Sequence, residues 1–424
     1  MDRRTPVVVI FRGGNGALAV ARTLGRLRIP VYLIAAKGAS IIEHSRYWVR
    51  RFWWDFSLPA EDSRRFLLDV ADRIGTRAIL LTLSDWAAIF IEENAQALGE
   101  RFTFPRGPAP IVKKLANKWE MFSLATTHGI PTPQTTLPRS RDEVRAFLET
   151  ARFPIVMKAA DPSLPYVPGK MIVHNPCDLL EKFDRDASLG PLNLILQEYI
   201  PGSAESVWMC NAYFGKRSEC KAVFTGKKLR QVDETGVASL AVCAPNKTVA
   251  DQTLRFMQAV GYEGAVGIGY RYDARDGLYK LLDVNARVSG VFRLFRATNG
   301  LDIVRICYLD LTGQTVPRSD LEAGRKWMLE DDIWAARAST KKGELTFKQW
   351  LTSLRGVKET HWFAVDDPKP GLVWLRNWIW PALISKFKRR SEANPEKVPS
   401  KVWKRAAKQS VERPEAARPP PSPR

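Results

Sequence analysis

Leu282-Asp283-Val284-Asn285-Ala286-Arg287 closes an apolar run, and the rest of the chain is read outward from it. Side chains alternate faces along an extended strand, so Asp283, Asn285 and Arg287 fall on one side if the strand runs that far. A carboxylate and an amide oxygen are hard ligands of the kind Mg²⁺ takes when water and substrate phosphates complete its shell. A guanidinium beside them can grip phosphate oxygens through two parallel hydrogen bonds. The plainer alternative is a strand end carrying a solvated polar triplet. Just upstream, Asp273 to Gly277 reads as the turn of a hairpin joining Ile268–Tyr272 to Leu278–Val284.

Earlier residues favour the first reading. Lys158 sits inside the apolar run Phe153 to Ala159, where a lysine must find a polar partner or snorkel to solvent. Lys170 follows Pro168-Gly169, and Lys118 lies on a helix read over Ile111 to Thr127. Gln197-Glu198-Tyr199-Ile200 forms a strand whose backbone could pair with an adenine edge. Each lysine alone reads as an exposed one; together with that strand they fit a clamp for a nucleoside triphosphate.

The first ~110 residues alternate strand and helix signals in the manner of a small doubly wound unit. Val7 to Phe11 and Val31 to Ile34 are strands, Ala78 to Thr82 is a later one, and helices are expected over Ala17–Leu27, Ser63–Ile74 and Asp85–Leu98. Gly13-Gly14-Asn15-Gly16 could hold a phosphate on its backbone amides. It departs from G-x-G-x-x-G at Ala19, however, and the second strand ends in Ala35-Ala36-Lys37 without the acid that takes a ribose. A tight turn between strand and helix is the reading adopted. Pro131 and Pro133 after His128-Gly129 mark a boundary, and strands at Pro154–Ala159 and Leu194–Tyr199 follow. The fold class is therefore α/β followed by α+β. Residues 1–110 form the first unit, 111–200 a linker helix with a small domain, and 201–325 a larger domain. A Trp-rich extension covers 326–385 and a basic, Pro-rich tail expected to be disordered covers 386–424.

Composition narrows the function. With 424 residues, 45% hydrophobic and 26% charged, the chain can bury a large core, and its five scattered cysteines and four histidines form no zinc or disulfide pattern. No apolar run reaches the ~18 residues of a membrane span, and no signal-peptide pattern opens the chain, so a cytoplasmic protein is expected. The 65 Lys+Arg against 45 Asp+Glu leave a net charge of +20. The tail from Lys386 carries 12 basic and 4 acidic residues.

In order along the chain, Lys118 in Ala116-Asn117-Lys118-Trp119-Glu120, then His128 to Pro133, Phe153 to Lys158, Gln197 to Gly202 and Asp283 to Arg287 resemble the motifs of the ATP-grasp superfamily. The resemblance covers roughly residues 5 to 325 and is strongest to carboxylate–amine ligases of the D-aspartate ligase type. Ser84-Asp85 with Glu93-Asn94-Ala95, Phe224 to Arg230 and Tyr272 to Gly277 are similar in kind to that group. The resemblance implies an ATP-grasp fold behind a Rossmann-like pre-ATP-grasp domain, with ATP and Mg²⁺ as cofactors. It implies that Lys118 and Lys158 contact the nucleotide, that Lys170 lies under a loop over the phosphates, and that Gln197 and Glu198 to Ile200 form the adenine hinge. Glu205 would reach the ribose, Asp283 and Asn285 would hold Mg²⁺, and Arg287, Lys228 and Arg230 would be the catalytic cations. Two departures stand out. The family's other metal-binding carboxylate falls where this chain has Gly267 and Gly269, and its expected proline is Ala286.

The activity so implied is ATP-dependent joining of a small carboxylate to an amine through an acyl phosphate, in keeping with a chain lacking a Ser/His/Asp or Cys/His constellation. A nucleotide-binding pseudoenzyme with a scaffold or sensor role is the alternative that Gly267 and Gly269 raise. A nucleic-acid binder is a remoter one, raised by the charge and by Arg50-Arg51-Phe52-Trp53-Trp54, whose plainer reading is a strand of the first unit. Aromatic residues beside basic ones over 372–390 suggest peripheral contact with the inner face of a membrane. The acid, the amine and the oligomeric state are not legible.

Overall fold

The computed structural model describes residues 2–377 apart from 14, 39–40, 162–163, 165–168, 233–235 and 342. Met1–Gly371 forms one compact unit and Leu372–Arg424 a second. Within the second unit, 372–377 are helical. The rest of the 372–390 segment and the tail from 386 lie outside the described residues. Among those described, no helix is long and apolar enough to cross a membrane.

The first unit is built on three sheets. β1 (Val7–Phe11), β2 (Val31–Ala35), β3 (Trp48–Trp53), β4 (Ala78–Thr82) and β5 (Phe102–Thr103) make a parallel sheet of order β3-β2-β1-β4-β5. β1 and β4 are buried along their whole length, as the near-continuous apolar runs of central parallel strands require. Helices α1 (Ala17–Gly25), α2 (Ala60–Ile74), α3 (Asp85–Glu93) and α4 (Ala95–Leu98) accompany it. The aromatic-basic run at 50–54 belongs to β3 at the sheet edge, the plainer of its two readings.

Gly16 caps α1 at φ 107°, a backbone conformation that suits glycine. A Cβ there would fall 2.9 Å from the Cα of Gly290, and one on Gly290 would fall 3.0 Å from the carbonyl oxygen of Asn15. The glycine turn therefore lets the loop after the metal-type motif approach the first sheet closely.

Two expected helices are each interrupted by an asparagine. The 85–98 helix ends at Asn94, whose amide donates to the Phe90 carbonyl oxygen. The 111–127 helix is two, α5 (Ile111–Ala116) and α6 (Lys118–Thr127). At the break, the Asn117 side chain accepts from the backbone N–H groups of Trp119 and Glu120 and caps α6. Capping competes well with an in-helix position for asparagine. The break places Lys118 at the first position of α6, with its N–H on the Ala160 carbonyl oxygen at 2.7 Å.

The second sheet is small and antiparallel, of order β6-β9-β7-β8, from β6 (Thr135–Thr136), β7 (Ile155–Lys158), β8 (Met171–Val173) and β9 (Ile195–Glu198). Val144 and Phe147 from helix Arg141–Thr150 and Leu179 and Phe183 from helix Pro176–Ser188 fill its core.

The third sheet has seven strands: β10 (Val207–Phe214), β11 (Cys220–Gln231), β12 (Ala238–Cys243), β13 (Gly264–Asp273), β14 (Leu278–Asn285), β15 (Lys326–Met328) and β16 (Val357–Thr360), ordered β14-β13-β10-β11-β12-β15-β16. β13 and β14 form the expected hairpin, with Gly267 opposite Asn285 and Gly269 opposite Asp283. Residues 326–328 and 357–360, read from the sequence as part of a separate extension, instead lengthen this sheet, with the side chain of Trp327 buried. The α/β then α+β order holds.

Candidate functional site

A cleft of about 900 Å³ lies between the small sheet and the seven-stranded one, with Asp85 from the first sheet's side at its rim. Lys118, Lys158, Lys170, Gln197, Glu198, Tyr199, Ile200, Lys228, Asp283 and Asn285 all line it, gathered from positions 118 to 285 of the chain. Ten of the thirteen residues singled out from the sequence thus meet in one place. Arg287, just past the end of β14, reaches the same region through Asp85, which accepts from its Nε at 2.7 Å, and through Asn285, whose Oδ1 accepts from Nη2 at 2.8 Å.

The other two go elsewhere. Arg230 turns to the buried Asp332, donating from Nε at 3.0 Å and Nη2 at 2.9 Å, and also to Ser353 at 2.8 Å. A guanidinium held by both carboxylate oxygens is committed there. Glu205 sits on a short 3₁₀ turn and accepts from Lys227 at 2.6 Å outside the cleft lining, with its side chain 57% exposed.

The floor of the cleft is electrostatically lopsided. Lys118 is ion-paired to Asp283, whose other oxygen accepts from Asn285 Nδ2 at 3.1 Å. Burial pushes the Asp283 carboxyl upward, but the Lys118 ammonium, with Lys158 and Arg287, overrides it and holds the group down at about 2. Lys158 donates to Gln197 Oε1 at 3.0 Å and to the Leu282 carbonyl oxygen at 3.4 Å, both neutral. Burial, then the charge of Lys118, lowers it to about 7. Lys228 donates to the Gly236 carbonyl oxygen, and burial with the nearby Lys170 and Arg271 lowers it to about 8. The two remaining carboxylates are engaged by arginines: Asp85 by Arg287, and Glu198 by Arg275 at 2.8 Å.

The strand expected over Gln197 to Ile200 ends at Glu198, and the segment leaving it presents one amide without an acceptor among the described residues. Glu198 N–H goes to the Gln134 carbonyl oxygen and Tyr199 N–H to that of Pro154, while the N–H of Ile200 has no acceptor among the described residues. Arg271 stacks 5.1 Å from the Tyr199 ring centroid and donates to the Gly202 carbonyl oxygen.

Asn211 was missed by the sequence reading. It faces Gly267 across β10 and β13, lines the cleft, and buries an Oδ1 that has no hydrogen-bond partner among the described residues. Its signal was a lone amide inside the apolar strand Val207–Phe214. Asp273, read from the sequence as the first residue of the turn, is instead the last residue of β13, where it is buried and engaged by Arg275 and Lys280.

These donors fit Mg²⁺ shared with a substrate's phosphates. Asp283 is a hard oxygen ligand, and Asn285 offers an amide oxygen now spent on Arg287. An all-protein metal cage does not fit, since no three His, Cys, Asp or Glu side chains cluster suitably among the described residues. Gly267 could not have carried the second carboxylate without rearrangement, because a Cβ there would fall 2.8 Å from Ser289 Cβ. At Gly269 the nearest atom would be 4.0 Å away.

Comparison with known proteins bears on the fold. The family profile "Carbamoyl-phosphate synthase L chain, ATP binding domain" matches residues 238–313, the stretch that holds the metal-type motif. The D-aspartate ligase of Enterococcus faecium (strain Aus0004) is 26% identical over 242 residues, or 54% of this chain and 57% of the ligase. The match thus spans little more than half the length of that relative. The L-amino acid ligase of Bacillus licheniformis superposes with a TM-score of 0.56 at 15% identity, covering 73% of this chain and 75% of that one. The chain has the ATP-grasp fold. Among other structures with the ATP-grasp fold, the ADP complex of N5-carboxyaminoimidazole synthetase from Staphylococcus aureus superposes with a TM-score of 0.58 at 12% identity, covering 77% of this chain and 82% of that one.

Proposed function

We propose that this ATP-grasp protein is an ATP-dependent carboxylate–amine ligase acting through an acyl phosphate. The observation that carries the reading is the cation excess around a single carboxylate: Lys118, Lys158 and Lys228 converge near Asp283 in one cleft, and two of them lack a carboxylate partner among the described residues. Such a site suits a polyanion, and in phosphoryl transfer positioning and charge stabilisation do most of the work.

In this reading the N–H of Ile200, which has no acceptor among the described residues, donates to the adenine edge, with Glu198 to Ile200 as the hinge. Lys158 and Lys118 hold phosphate oxygens, and Lys170 beside the small sheet and Lys228 on the seven-stranded sheet close on the outer phosphate. Asp283 and Asn285 would hold Mg²⁺, which supplies charge neutralisation between the phosphates when bound. The substrate carboxylate attacks the γ-phosphorus and ADP leaves. Arg287, oriented by Asp85, stabilises the charge on the acyl phosphate until an amine displaces inorganic phosphate. The 1–110 unit, the 111–200 unit and the 201–325 unit would divide into substrate platform, lid and metal-bearing base.

The test is a coupled ADP-release assay of the purified chain with ATP, Mg²⁺ and pairs of amino acids and other small acids and amines. Turnover with one pair is expected, with formation of one amide per ADP. No ADP above background with any pair, despite measurable binding of Mg-ADP, would remove the ligase reading and leave a nucleotide-binding scaffold.

A further inference from the structure

Outside the cleft, a second hollow of about 620 Å³ opens at the carboxyl ends of β1, β2 and β3. This is the edge of an open parallel sheet at which α/β proteins place ligands. Arg12 follows β1, Lys37 follows β2, and Trp53 to Ser57 run from the end of β3.

The chemistry of its wall is specific. The Arg12 guanidinium lies 4.7 Å from the ring centroid of Trp86 and 5.8 Å from that of Phe56, and these two rings meet edge to face at 5.8 Å. Neither Arg12 nor Lys37 has a carboxylate partner among the described residues. The one acid on the wall, Asp55, is engaged by the N–H and hydroxyl of Ser57 at 2.9 and 2.6 Å. Stacking an arginine on an aromatic face fixes its plane and leaves the N–H edge available for a bidentate oxyanion. An independent observation concerns Trp54. It lines the same hollow, is 1% exposed, and buries an indole N–H without an acceptor among the described residues. Among the described residues, two cations and one donor thus lack an anion.

The hollow also adjoins the cleft. Asp85, first residue of α3, lines the nucleotide cleft, and Trp86, the next residue, is the ring under Arg12. A molecule anchored at Arg12 would pass the start of α3 to reach the reacting centre. We propose that this hollow is an anion-recognition subsite for the amine-bearing substrate, holding a phosphate or carboxylate group of that molecule while its amino end reaches the cleft beside Asp85. The assignment rests on the ligase reading, and it restricts the second substrate to amines bearing a remote anionic group.

The experiment follows the indole N–H signals of the full chain by ¹H–¹⁵N NMR, with Trp54 and Trp86 assigned from Trp→Phe variants. Inorganic phosphate and acetate are titrated separately, with and without saturating Mg-ADP. Saturable shifts of Trp54 and Trp86 are expected with one anion and unchanged by Mg-ADP, phosphate or acetate identifying the group. Arg12→Ala should weaken that affinity at least tenfold, Lys37→Ala several-fold, and Arg12→Lys less than Arg12→Ala. Absence of shifts with both anions, equal affinity in the alanine variants, or competition by Mg-ADP would overturn the site. A chain that binds the anion at Arg12 but does not bind Mg-ADP would instead overturn its role as a ligase subsite, which separates this failure from that of the ligase reading.

Discussion

Two groups of buried charge in this molecule are compensated very differently. Behind α1, Arg22 donates to Asp367 at 3.0 Å, with the two side chains 2% and 1% exposed, and to the carbonyl oxygens of His361, Trp362 and Asp367. Nearby, Arg293 spans Asp302 and Glu359, and Arg325 shares Glu359 at 2.8 Å. Every one of these guanidinium groups has a carboxylate. In the cleft, Lys158 and Lys228 meet carbonyl or amide oxygens, and burial together with neighbouring cations makes their ammonium groups easier to deprotonate. Full pairing fixes the 359–367 segment against α1 and against Arg293 and Arg325. Incomplete pairing keeps a positive field that a polyanion can neutralise.

The sharpest way to break that contrast is to unpair the structural group. Asp367→Ala should cost about 3–5 kcal/mol in a denaturant melt, since it strands a buried guanidinium. Affinity for Mg-ADP in the protein that remains folded should be nearly unchanged. Truncating the cleft should do the reverse. Lys158→Ala should lower ligase kcat by about 10²–10³-fold, the usual effect of removing one preorganised donor to developing charge. Its thermal stability should rise slightly, because a desolvated cation is removed. If Lys158→Ala destabilises as Asp367→Ala does, the cleft lysines are structural and the contrast fails.

The two glycines at which the family resemblance would place a second carboxylate form a smaller pair of tests. Gly267→Asp meets Ser289 at a distance that forces rearrangement, and overpacking of this kind costs about 1–3 kcal/mol. Gly269→Glu enters open space opposite Asp283. It should fold normally and bind Mg²⁺ more tightly in an equilibrium titration followed without nucleotide, several-fold over the unaltered chain. Equal behaviour of both variants would show that register and space at the hairpin do not govern this site.

Much of this arrangement was legible in the chain. The hairpin around Asp273–Gly277, the alternation that faces Asp283 and Asn285 one way, and the parallel-sheet runs at Val7–Phe11 and Ala78–Thr82 are local patterns, and local patterns set strands. What escaped depends on partners far along the chain. Arg230 reads like a cleft cation until Asp332, 102 residues on, takes both of its ends. The pairing of β15 with β12 depends on tertiary position, which composition around Trp327 does not encode. The helix break that Asn117 caps and the buried place of Asn211 escaped because a single amide is a weak signal, although capping and burial make each decisive where it stands.

pH should separate folding from binding in the cleft. Lys158 and Lys228, held at about 7 and about 8, lose protons in the folded chain well below the ordinary lysine value of 10.5. Between those values and 10.5 the unfolded chain binds more protons, so stability against denaturant should rise with pH across that window. Phosphate recognition needs the charged lysines, so Mg-ADP affinity should fall over pH 6–9, by up to about tenfold per unit for each lysine that must take up a proton. Opposite trends in melts and in calorimetric binding are the expected signature, and Lys158→Ala should flatten the lower part of both.

The smallest effect is expected where cleft and surface meet. Glu205, which the family resemblance directs to the ribose, is more than half exposed and paired with Lys227 on the outer side of β11. Exposed pairs of this kind are worth about 0–1 kcal/mol. Glu205→Gln should therefore change Tm little and shift the Kd for Mg-ADP less than about threefold, a range that RT converts to under about 0.7 kcal/mol. The discriminating comparison is the affinity ratio of ADP to 2′-deoxy-ADP. If Glu205 leaves Lys227 to accept from the ribose hydroxyl, the ratio in the unaltered chain exceeds one and collapses to one in Glu205→Gln. If the pair holds as it stands, the ratio is the same in both proteins, and recognition of the sugar passes to the groups that line the cleft wall at Gly202 and Arg271.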